Sequence, residues 1–420
     1  MIRTLVALVL AVSAARAQPP EGALELDPYL VRVTRGNPQL VVRRYEAAVA
    51  DGEIEVARRF PEPYLSGGVA AFDVVRGGAP TALELGVSQT FELGGKRSHR
   101  ILVAERGAVG ARAEIEDQVR TLRGAATDAF IDALALHLIA EEKQRTYANL
   151  VRLVEMNEQR HRKGDLGEVP VMQARVEAER FHGELLVAQG EIRVAELGLG
   201  QLVGTSQPIV PLGRLDLSER AFDATALITD AKAHRPDVLA ARARVDQARA
   251  KQDLAISNRR SDVTVGVGWT HGSTATGSYA AIAPTPAVDL VSATLSIPLP
   301  FARLAHHGEL DVAVAEHART ATELRAVEVN VEVEIAQALA RYRATVERLK
   351  LYTGGILAAA DKSLEAVTYD YTHGGATLLE VIEAQRSVDG VYLAYYQSLD
   401  DHAHALIAVE VAAGSWDVKL

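Results

Sequence analysis

The sequence predicts a mainly α-helical protein with a smaller β-barrel part, and both parts occur twice along the chain. Three observations predict this fold class. Apolar residues recur every three or four positions over very long stretches, four short segments alternate apolar and polar residues, and both patterns repeat at a nearly constant offset. Hydrophobic residues make up 48% of the 420 positions but aromatic residues only 5%. This composition favours closely packed helices over a bulky globular core.

The N-terminus has the features of a secretory signal peptide over residues 1–17. Arg3 supplies a positive start, Leu5–Ala15 is apolar, and Ala15-Arg16-Ala17 is a small-x-small cleavage site. The alternative is a buried N-terminal helix. The features favour export, with a mature chain that begins near Gln18.

Composition excludes several classes of protein. The chain has no cysteine, which rules out disulfides, thiolate zinc sites, cysteine nucleophiles and a lipid anchor on an N-terminal cysteine. The formal charge of −10 argues against a nucleic-acid-binding protein with a broad basic face. No stretch after the signal has the roughly 18 uncharged apolar residues of a transmembrane helix. An exported chain of this kind is therefore either periplasmic or an outer-membrane barrel.

The two halves of the chain match each other in order. Early pairs differ by 198 positions, later ones by 208 and then 210, as in Pro38/Pro236, Ala50/Ala248, Val87/Leu295, Phe91/Leu299, Gly164/Gly374 and Ala174/Ala384. Ten of the twelve extra residues fall in one loop, His271–Ala287, as expected for a structural repeat. We therefore predict a first repeat over 18–204, a linker or equatorial region over 205–235, a second repeat over 236–413 and a C-terminal tail over 414–420.

Each repeat has two predicted strands, at about 63–72 and 82–93 in the first and about 261–270 and 288–298 in the second. In 83–93 one side carries apolar residues, interrupted by Gln89, and the other carries polar and small ones. One apolar face and one small, polar face is typical of a membrane barrel. A half-buried sheet of a soluble protein alternates in the same way, so the strands alone leave both alternatives open.

The helices favour the barrel. Small and aliphatic residues recur at steps of three and four from Ile101 to Ala140, and the second half repeats the feature, which predicts coiled-coil packing. Long helical hairpins are predicted at about 97–203 and 308–413, with glycine turns at Gly164 and Gly374-Gly375. Four strands cannot close a barrel alone, whereas three copies supply twelve, together with twelve helical rods that can form a tube. The predicted assembly is a trimeric 12-stranded outer-membrane β-barrel continued by a periplasmic α-helical coiled-coil barrel.

This arrangement resembles the TolC-type outer-membrane factors, the exit ducts of tripartite efflux and secretion systems. The resemblance covers essentially the whole mature chain. Its local matches are Asn37-Pro38-x-Leu40, Phe91-Glu92-Leu93-Gly94-Gly95-Lys96-Arg97, Gly164-Asp165-Leu166 with Gln173-Ala174-Arg175, and Tyr371-Thr372-His373-Gly374 with Glu380–Arg386. It implies a homotrimer in the outer membrane that works with a periplasmic adaptor and an inner-membrane pump, without catalysis and without a cofactor.

The segment Phe91–Arg97 is most similar to the heavy-metal-cation branch of that family, the partners of cobalt–zinc–cadmium and copper–silver exporters. The same duct for drugs or secreted polypeptides is the nearest alternative. A periplasmic coiled-coil scaffold or adaptor, with its strands in a soluble sheet, is the alternative from another class.

The hairpin tips are the first candidate site. The resemblance implies that Gly164, Asp165, Leu166, Gly374 and Gly375 dock the adaptor. It also matches Tyr371, Glu380 and Glu383 to lumen-facing positions of the periplasmic gate. The two glutamates lie one helical turn apart, and threefold symmetry would place six carboxylates together. The alternative is a solvated helix face. The family's arginine-based gate network cannot form as described, because the matching residues are Ala376, Val169 and Pro170.

Basic residues at the strand ends are the second candidate site. Their spacing places them at one level, where the barrel meets the helices, so they could contact lipid phosphates; the set is Arg58, Arg59, Lys96, Arg97, Arg259, Arg260 and Arg303. Ordinary helix-end charge is the alternative. Aromatic residues near the strand ends fit a membrane interface, at Tyr64, Phe72, Phe91, Trp269 and Phe301.

The histidines do not predict a metal site. Neither His306-His307 nor His402-x-His404 shares a helix face, and His137 with Glu141 supplies only two ligands. We therefore expect ordinary packed or exposed histidines. The sequence also has no zinc-protease motif, phosphate loop or hydrolase elbow, so we expect no enzyme.

Overall fold

A computed structural model describes residues 23–70, 82–215, 219–273, 287–299 and 307–415. Several sequence predictions lie outside this part: the signal peptide 1–17, most of the loop His271–Ala287, Phe72, Phe301, Arg303 and tail residues 416–420. Among the described residues, no helix is long and apolar enough to cross a bilayer.

Helices dominate the fold and the longer strands form one small sheet. In chain order the elements are β1 (Ala23–Leu24), α1 (Leu26–Gly36), α2 (Pro38–Ala57), β2 (Tyr64–Ala70), β3 (Ala82–Phe91), α3 (Lys96–Arg162), α4 (Glu168–Val203), β4 (Val210–Pro211), α5 (Ala224–His234), α6 (Pro236–Asn258), β5 (Val263–Ser273), β6 (Ala287–Ser296), α7 (His307–Leu351), a π-helical turn (Tyr352–Ile356), α8 (Leu357–His373) and α9 (Leu378–Ala413). The 67 residues of α3 span about 100 Å as a straight helix.

The sheet has the strand order β2-β3-β5-β6, and every neighbouring pair is antiparallel. Each repeat contributes one β-hairpin to the sheet, β2-β3 from the first repeat and β5-β6 from the second. The two β-hairpins pair with each other through β3 and β5. The outer strands β2 and β6 have no further partner within the described chain.

The strand register separates the two faces of the sheet. One cross-strand row is apolar and consists of Leu65, Val87, Val267 and Ala293. The next row consists of small residues, Ser66, Gly86, Gly268 and Ser292. In a single chain the apolar row is open to solvent, with Leu65 81%, Val87 53% and Val267 59% exposed. An apolar face this open is typical of a surface that contacts a membrane or another protein.

The helical part is held by separate apolar clusters along its length. One surrounds Tyr29, whose ring lies 5.4 Å from that of Phe130 and whose hydroxyl donates to the Leu199 carbonyl. A matching cluster in the second repeat contains Val238, Ile335, Tyr342 and Leu406. Burial in the described part of the chain is therefore distributed along long rods, in separate clusters rather than one central core.

The second long hairpin departs from the uninterrupted helix that its apolar series predicts. The π-helical turn Tyr352–Ile356 separates α7 from α8, and Gly355 has φ = 149°. Two consecutive glycines, Gly354 and Gly355, stand at this point. Glycine lowers helix stability and permits this backbone angle, which accounts for the interruption.

Candidate functional site: hairpin tips and barrel–helix junction

Glycines end both outgoing helices at the tips. Gly164 follows α3 with φ = 85° and Gly374 follows α8 with φ = 84°, a left-handed conformation that favours glycine. The Asp165 amide donates to the Arg160 carbonyl at 3.0 Å, and the Gly375 amide donates to the Asp370 carbonyl at 2.8 Å. These bonds satisfy the last carbonyls of each helix and fix the reversal of the chain. Gly164, Asp165, Gly374 and Gly375 are all exposed, and Leu166 is half-buried.

The two tips share one apolar cluster. It contains residues from α3, α4, α8 and α9, namely Leu150, Leu153, Ala174, Ala178, Phe181, Tyr371, Leu378, Val381 and Ile382. The two hairpins of one chain are therefore packed together close to their ends rather than only higher along the rods.

Tyr371 lies within this cluster and is 4% exposed. Its hydroxyl donates to Asn157 Oδ1 at 2.6 Å, which joins α8 to α3. The Arg160 guanidinium lies 5.3 Å from the Tyr371 ring centroid and also donates to its carbonyl. Burial raises the pKa of Tyr371, so its hydroxyl keeps its proton and remains a donor. Tyr371, which the resemblance matches to the periplasmic gate, thus joins α8 of the second hairpin to α3 of the first.

Glu380 and Glu383 are both exposed but have different partners. The Glu380 carboxylate accepts hydrogen bonds from the Thr377 amide at 2.6 Å and the Thr377 hydroxyl at 2.9 Å. This is a capping box at the start of α9, and these bonds lower the pKa of Glu380. Glu383 lies 3.4 Å from Arg386. Glu380 therefore has a structural role in addition to any role in a lumen.

A buried carboxylate that the sequence analysis did not single out connects the hairpins a few turns above the tips. Glu177 on α4 is 5% exposed and accepts two hydrogen bonds from Arg386 of α9, at 2.8 and 2.7 Å. Arg180 donates to the same carboxylate at 2.8 Å. The Arg386 and Arg180 guanidiniums lower the pKa of Glu177 to about 2, so it remains charged. Because Glu177 and Arg386 are 209 residues apart, no local sequence pattern indicates the contact.

Several residues of the predicted basic set at the strand ends bind other residues of the same chain. Lys96 Nζ lies 2.8 Å from Asp262 Oδ1, and the Lys96 side chain is only 12% exposed. Arg97 donates to the Arg58 carbonyl at 2.8 Å and stacks over the Phe60 ring at 4.2 Å. Arg58 itself pairs with Glu55 at 2.7 Å.

The other described residues of this basic set are Arg59, Arg259 and Arg260. Arg59 and Arg260 are exposed, whereas Arg259 is half-buried. Of the predicted interface aromatics, Tyr64 is 70%, Phe91 53% and Trp269 36% exposed.

Arg100 is a junction residue that the sequence analysis missed. Its guanidinium donates to both Glu92 oxygens, at 2.6 and 3.1 Å. It also donates to the Ala57 and Arg59 carbonyls, at 3.2 and 3.0 Å. One side chain thereby joins the end of α2, the end of β3 and the start of α3. Its position one turn after Arg97 is the only sequence signal for this role.

Comparisons with known proteins agree with this architecture. Residues 227–415 match the family described as outer membrane efflux protein. The chain is 26% identical over 404 residues to the cobalt-zinc-cadmium resistance protein CzcC of Cupriavidus metallidurans, which covers 94% of this chain and 90% of that protein.

Solved structures share the fold at low sequence identity. The crystal structure of CusC superposes with a TM-score of 0.76 at 16% identity, over 93% of this chain and 92% of that one. The outer membrane protein VceC of Vibrio cholerae gives a TM-score of 0.71 at 20% identity, over 93% of this chain and 96% of that one.

The fold is that of the solved outer-membrane proteins CusC and VceC. The family match over residues 227–415 agrees with the resemblance to the TolC-type outer-membrane factors that the motifs predict. The match to CzcC along nearly the full length agrees with the heavy-metal branch that Phe91–Arg97 indicates.

Proposed function

We propose that three copies of this chain form the exit duct of a tripartite efflux system, which passively conducts divalent heavy-metal cations out of the cell. The observation that carries the proposal is the alignment with CzcC, which covers 94% of this chain and 90% of that protein. The name of that protein supplies the substrate class. The duct itself has no catalytic step, and the inner-membrane pump provides the energy.

The unpaired sheet edges support the trimer. β2 and β6 are the outer strands of a sheet whose order is β2-β3-β5-β6. A lipid-exposed edge with free backbone groups is too costly in a membrane, so β6 of one copy should pair with β2 of the next. The exposed apolar row Leu65, Val87, Val267 and Ala293 would then face lipid, and the row of small residues would face the lumen.

The hairpin tips are suited to dock a periplasmic adaptor. Gly164, Asp165, Gly374 and Gly375 are exposed, while the shared cluster around Tyr371 keeps the two turns in a fixed relation. An adaptor that binds both turns could therefore act on the contacts between the hairpins.

Acidic side chains at the tip fit cationic cargo. Glu383 is exposed and Glu380 is held as a carboxylate by its cap. In a trimer they would give a ring of six negative charges, which attracts cations without binding them tightly.

The test is growth of a deletion strain on zinc, cobalt, cadmium, nickel, copper and silver, with hydrophobic drugs and dyes in parallel. The proposal predicts sensitivity to metals alone, restored by the wild-type gene. It also predicts reduced restoration by Glu380→Gln with Glu383→Gln, since glutamine keeps the capping box but removes the charge. Glu191→Gln, an exposed position on α4, is the matched control. Sensitivity to drugs alone would keep the duct and reject the metal substrate.

A further inference from the structure

Four ionisable side chains meet where α3 packs against α9. Asp128 and Asp132 lie one turn apart on α3, and Asp400 and His404 lie one turn apart on α9. His404 Nδ1 is 2.9 Å from Asp128 Oδ1, and its Nε2 is 2.8 Å from Asp132 Oδ1. Asp400 Oδ1 is 3.4 Å from the same Nε2. The cluster is far along the chain from both hairpin turns.

Three of these residues are arranged as metal ligands. Donor atoms of Asp132, Asp400 and His404 all lie within 4.8 Å of one another. A tetrahedral site with bonds of about 2.1 Å separates its donors by about 3.4 Å. Small side-chain rotations would therefore bring the three donors around one ion.

The fourth residue completes the pattern of a histidine ligand. A metal-bound imidazole usually donates its other N–H to a carboxylate, which fixes the ring orientation. Asp128 stands in that position at Nδ1, so Nε2 faces the two remaining carboxylates.

Asp400 supplies a buried oxygen to the cluster. Its Oδ1 atom is shielded from solvent and lies 3.4 Å from His404 Nε2 as an ion pair. Buried carboxylate oxygens are normally satisfied by a close partner, and a cation held by Asp132 and His404 would provide one.

The two helices beneath the cluster are closely packed. Ile131 of α3 packs against Ala403 and Ile407 of α9, and all three are at most 3% exposed. These residues alternate with the four polar ones on the same two helices, so they fix the separation of the ligand pairs. Preorganisation of this kind is what a ligand set needs to bind a small ion.

We propose that Asp132, Asp400 and His404 Nε2 bind one divalent transition-metal cation of the zinc and cobalt class, with Asp128 orienting the histidine and water completing the coordination. Mixed carboxylate and imidazole donors suit such ions. The inference rests on the donor set alone and does not depend on which cargo the duct carries.

Without metal, a proton takes the place of the ion. Both ring nitrogens of His404 lie at hydrogen-bond distance from carboxylate oxygens, which can only accept, so without metal each nitrogen carries a proton. Metal binding must displace the proton on Nε2, and about one proton should be released per ion.

The experiment is a titration of the purified full-length protein in detergent with CoCl₂, after removal of metals by a chelator. Ligand-field absorption of the cobalt reports coordination, and calorimetry in buffers of different ionisation enthalpy counts released protons. We expect one ion per chain, released protons near one, and binding roughly 10–100-fold weaker in Asp128→Asn. His404→Gln and Asp132→Asn should abolish the absorption bands.

The matched control is His182→Gln, which removes a histidine 3.6 Å from Glu179 on α4 and should leave binding unchanged. Asp132 is 56% exposed, so Asp132→Asn should fold even if His404→Gln does not. Circular dichroism and elution volume check the fold. Absence of cobalt absorption in the wild type, or equal binding by Asp132→Asn, would show that the cluster is an ion-pair network only and would overturn the proposal.

Discussion

The buried Glu177 carboxylate is part of a network of charged side chains from three helices. It accepts from Arg180 on its own helix and from Arg386 on α9, while Arg180 also reaches Glu184, which Lys143 of α3 contacts at 2.8 Å. The bidentate geometry of Arg386 makes this contact specific as well as strong. The two hairpins are therefore linked by charge above the tips and by the apolar cluster at the tips.

This link should weaken in acid. Because the pKa of Glu177 falls from 4.5 to about 2 in the folded protein, its contribution is complete above the ordinary pKa and is lost as the pH falls through about 2. Glu177→Gln should lower the free energy of unfolding by about 1–3 kcal/mol at neutral pH. Between pH 4.5 and 2 that free energy should decline less in the variant than in the wild type. Urea unfolding at several pH values measures both effects. Glu179→Gln, exposed on the same helix, is the control, and equal stability of the two variants would refute the assignment.

Tyr371 should restrain the tip through its bond to Asn157 at 2.6 Å. Tyr371→Phe removes this bond and leaves the buried Asn157 Oδ1 without its donor. The free energy of unfolding should fall by about 1–3 kcal/mol. We expect a higher resting conductance in planar bilayers. Tyr369→Phe alters an exposed tyrosine of the same helix and should behave as the wild type. Identical conductance of all three proteins would mean that this bond does not restrain the tip.

Sequence reasoning located the tip residues but not all of their contacts. The same-face spacing of Glu380 and Glu383 follows from helix geometry, and Thr377-x-x-Glu380 is a readable capping-box signature that the analysis overlooked. The partners Asn157 and Glu177 could not be predicted, because each lies more than 200 residues away from the residue it binds. The same reason hid the cluster at His404, whose carboxylate partners on α3 precede it by more than 270 positions.

At the scale of elements, the two repeats close their hairpins in the same way. Asn37 Nδ2 donates to the Leu202 carbonyl at 2.9 Å, and Arg235 donates to the Ala412 carbonyl at 2.7 Å. These pairs differ by the 198 and 210 positions that relate the repeats. Each bond ties the start of one helix to the end of the returning one, so the duplication extends to individual hydrogen bonds.

The two positions are not interchangeable. Arg235 is 3% exposed and also binds Asp237 and Glu334, each at 2.7 Å. Arg235→Asn installs the residue of the first repeat but leaves two carboxylates without their cation, so we expect a loss of about 2–4 kcal/mol. Thermal unfolding provides the measurement. Arg242→Asn is the control, since Arg242 is more exposed and lies 3.5 Å from its acidic partner. A loss no larger than that of the control would contradict this role.

The barrel–helix junction yields a prediction on assembly. Replacing Arg58, Arg59, Arg259 and Arg260 with glutamine should reduce the yield of membrane-inserted trimer, because fewer charges remain to pair with lipid phosphates. Arg43→Gln with Arg319→Gln, at exposed ion pairs on α2 and α7, controls for loss of charge alone. An unchanged trimer yield would contradict the predicted contact with lipid phosphates and favour the alternative of ordinary helix-end charge.

The positions of the helices and strands could be predicted from the periodicity of apolar residues, whereas the interruptions within them could not. The apolar series predicts long rods because side chains three and four apart share a face, and α3 realises this over 67 residues. The π-helical turn Tyr352–Ile356 breaks the second rod within a series that continues on either side. Gln89, which interrupts an apolar strand face, donates to the Pro61 carbonyl at 2.8 Å; that bond depends on the path of the chain into β2.

At the scale of the whole molecule, a single chain is incomplete. Within the described residues its sheet exposes a row of apolar residues and has two edge strands without a partner. Closure of the sheet on itself would pair the edges, and the surrounding lipid would cover the apolar row. The sequence predicted this from the number of strands, since four cannot form a barrel. We therefore propose that three chains close edge to edge.

Cysteine cross-linking between sheet edges tests that claim most directly, because the chain has no cysteine of its own. Ser66→Cys on β2 would be combined in turn with Leu290→Cys, Ser292→Cys or Thr294→Cys on β6, whose side chains lie on the same face of the sheet as Ser66, and the protein oxidised in membranes. Paired strands bring Cα atoms within disulfide range, so at least one combination should give dimers and trimers but nothing larger, while single-cysteine variants yield no trimer. A ladder that continues beyond the trimer, or no cross-link in any combination, would contradict a closed ring of three chains.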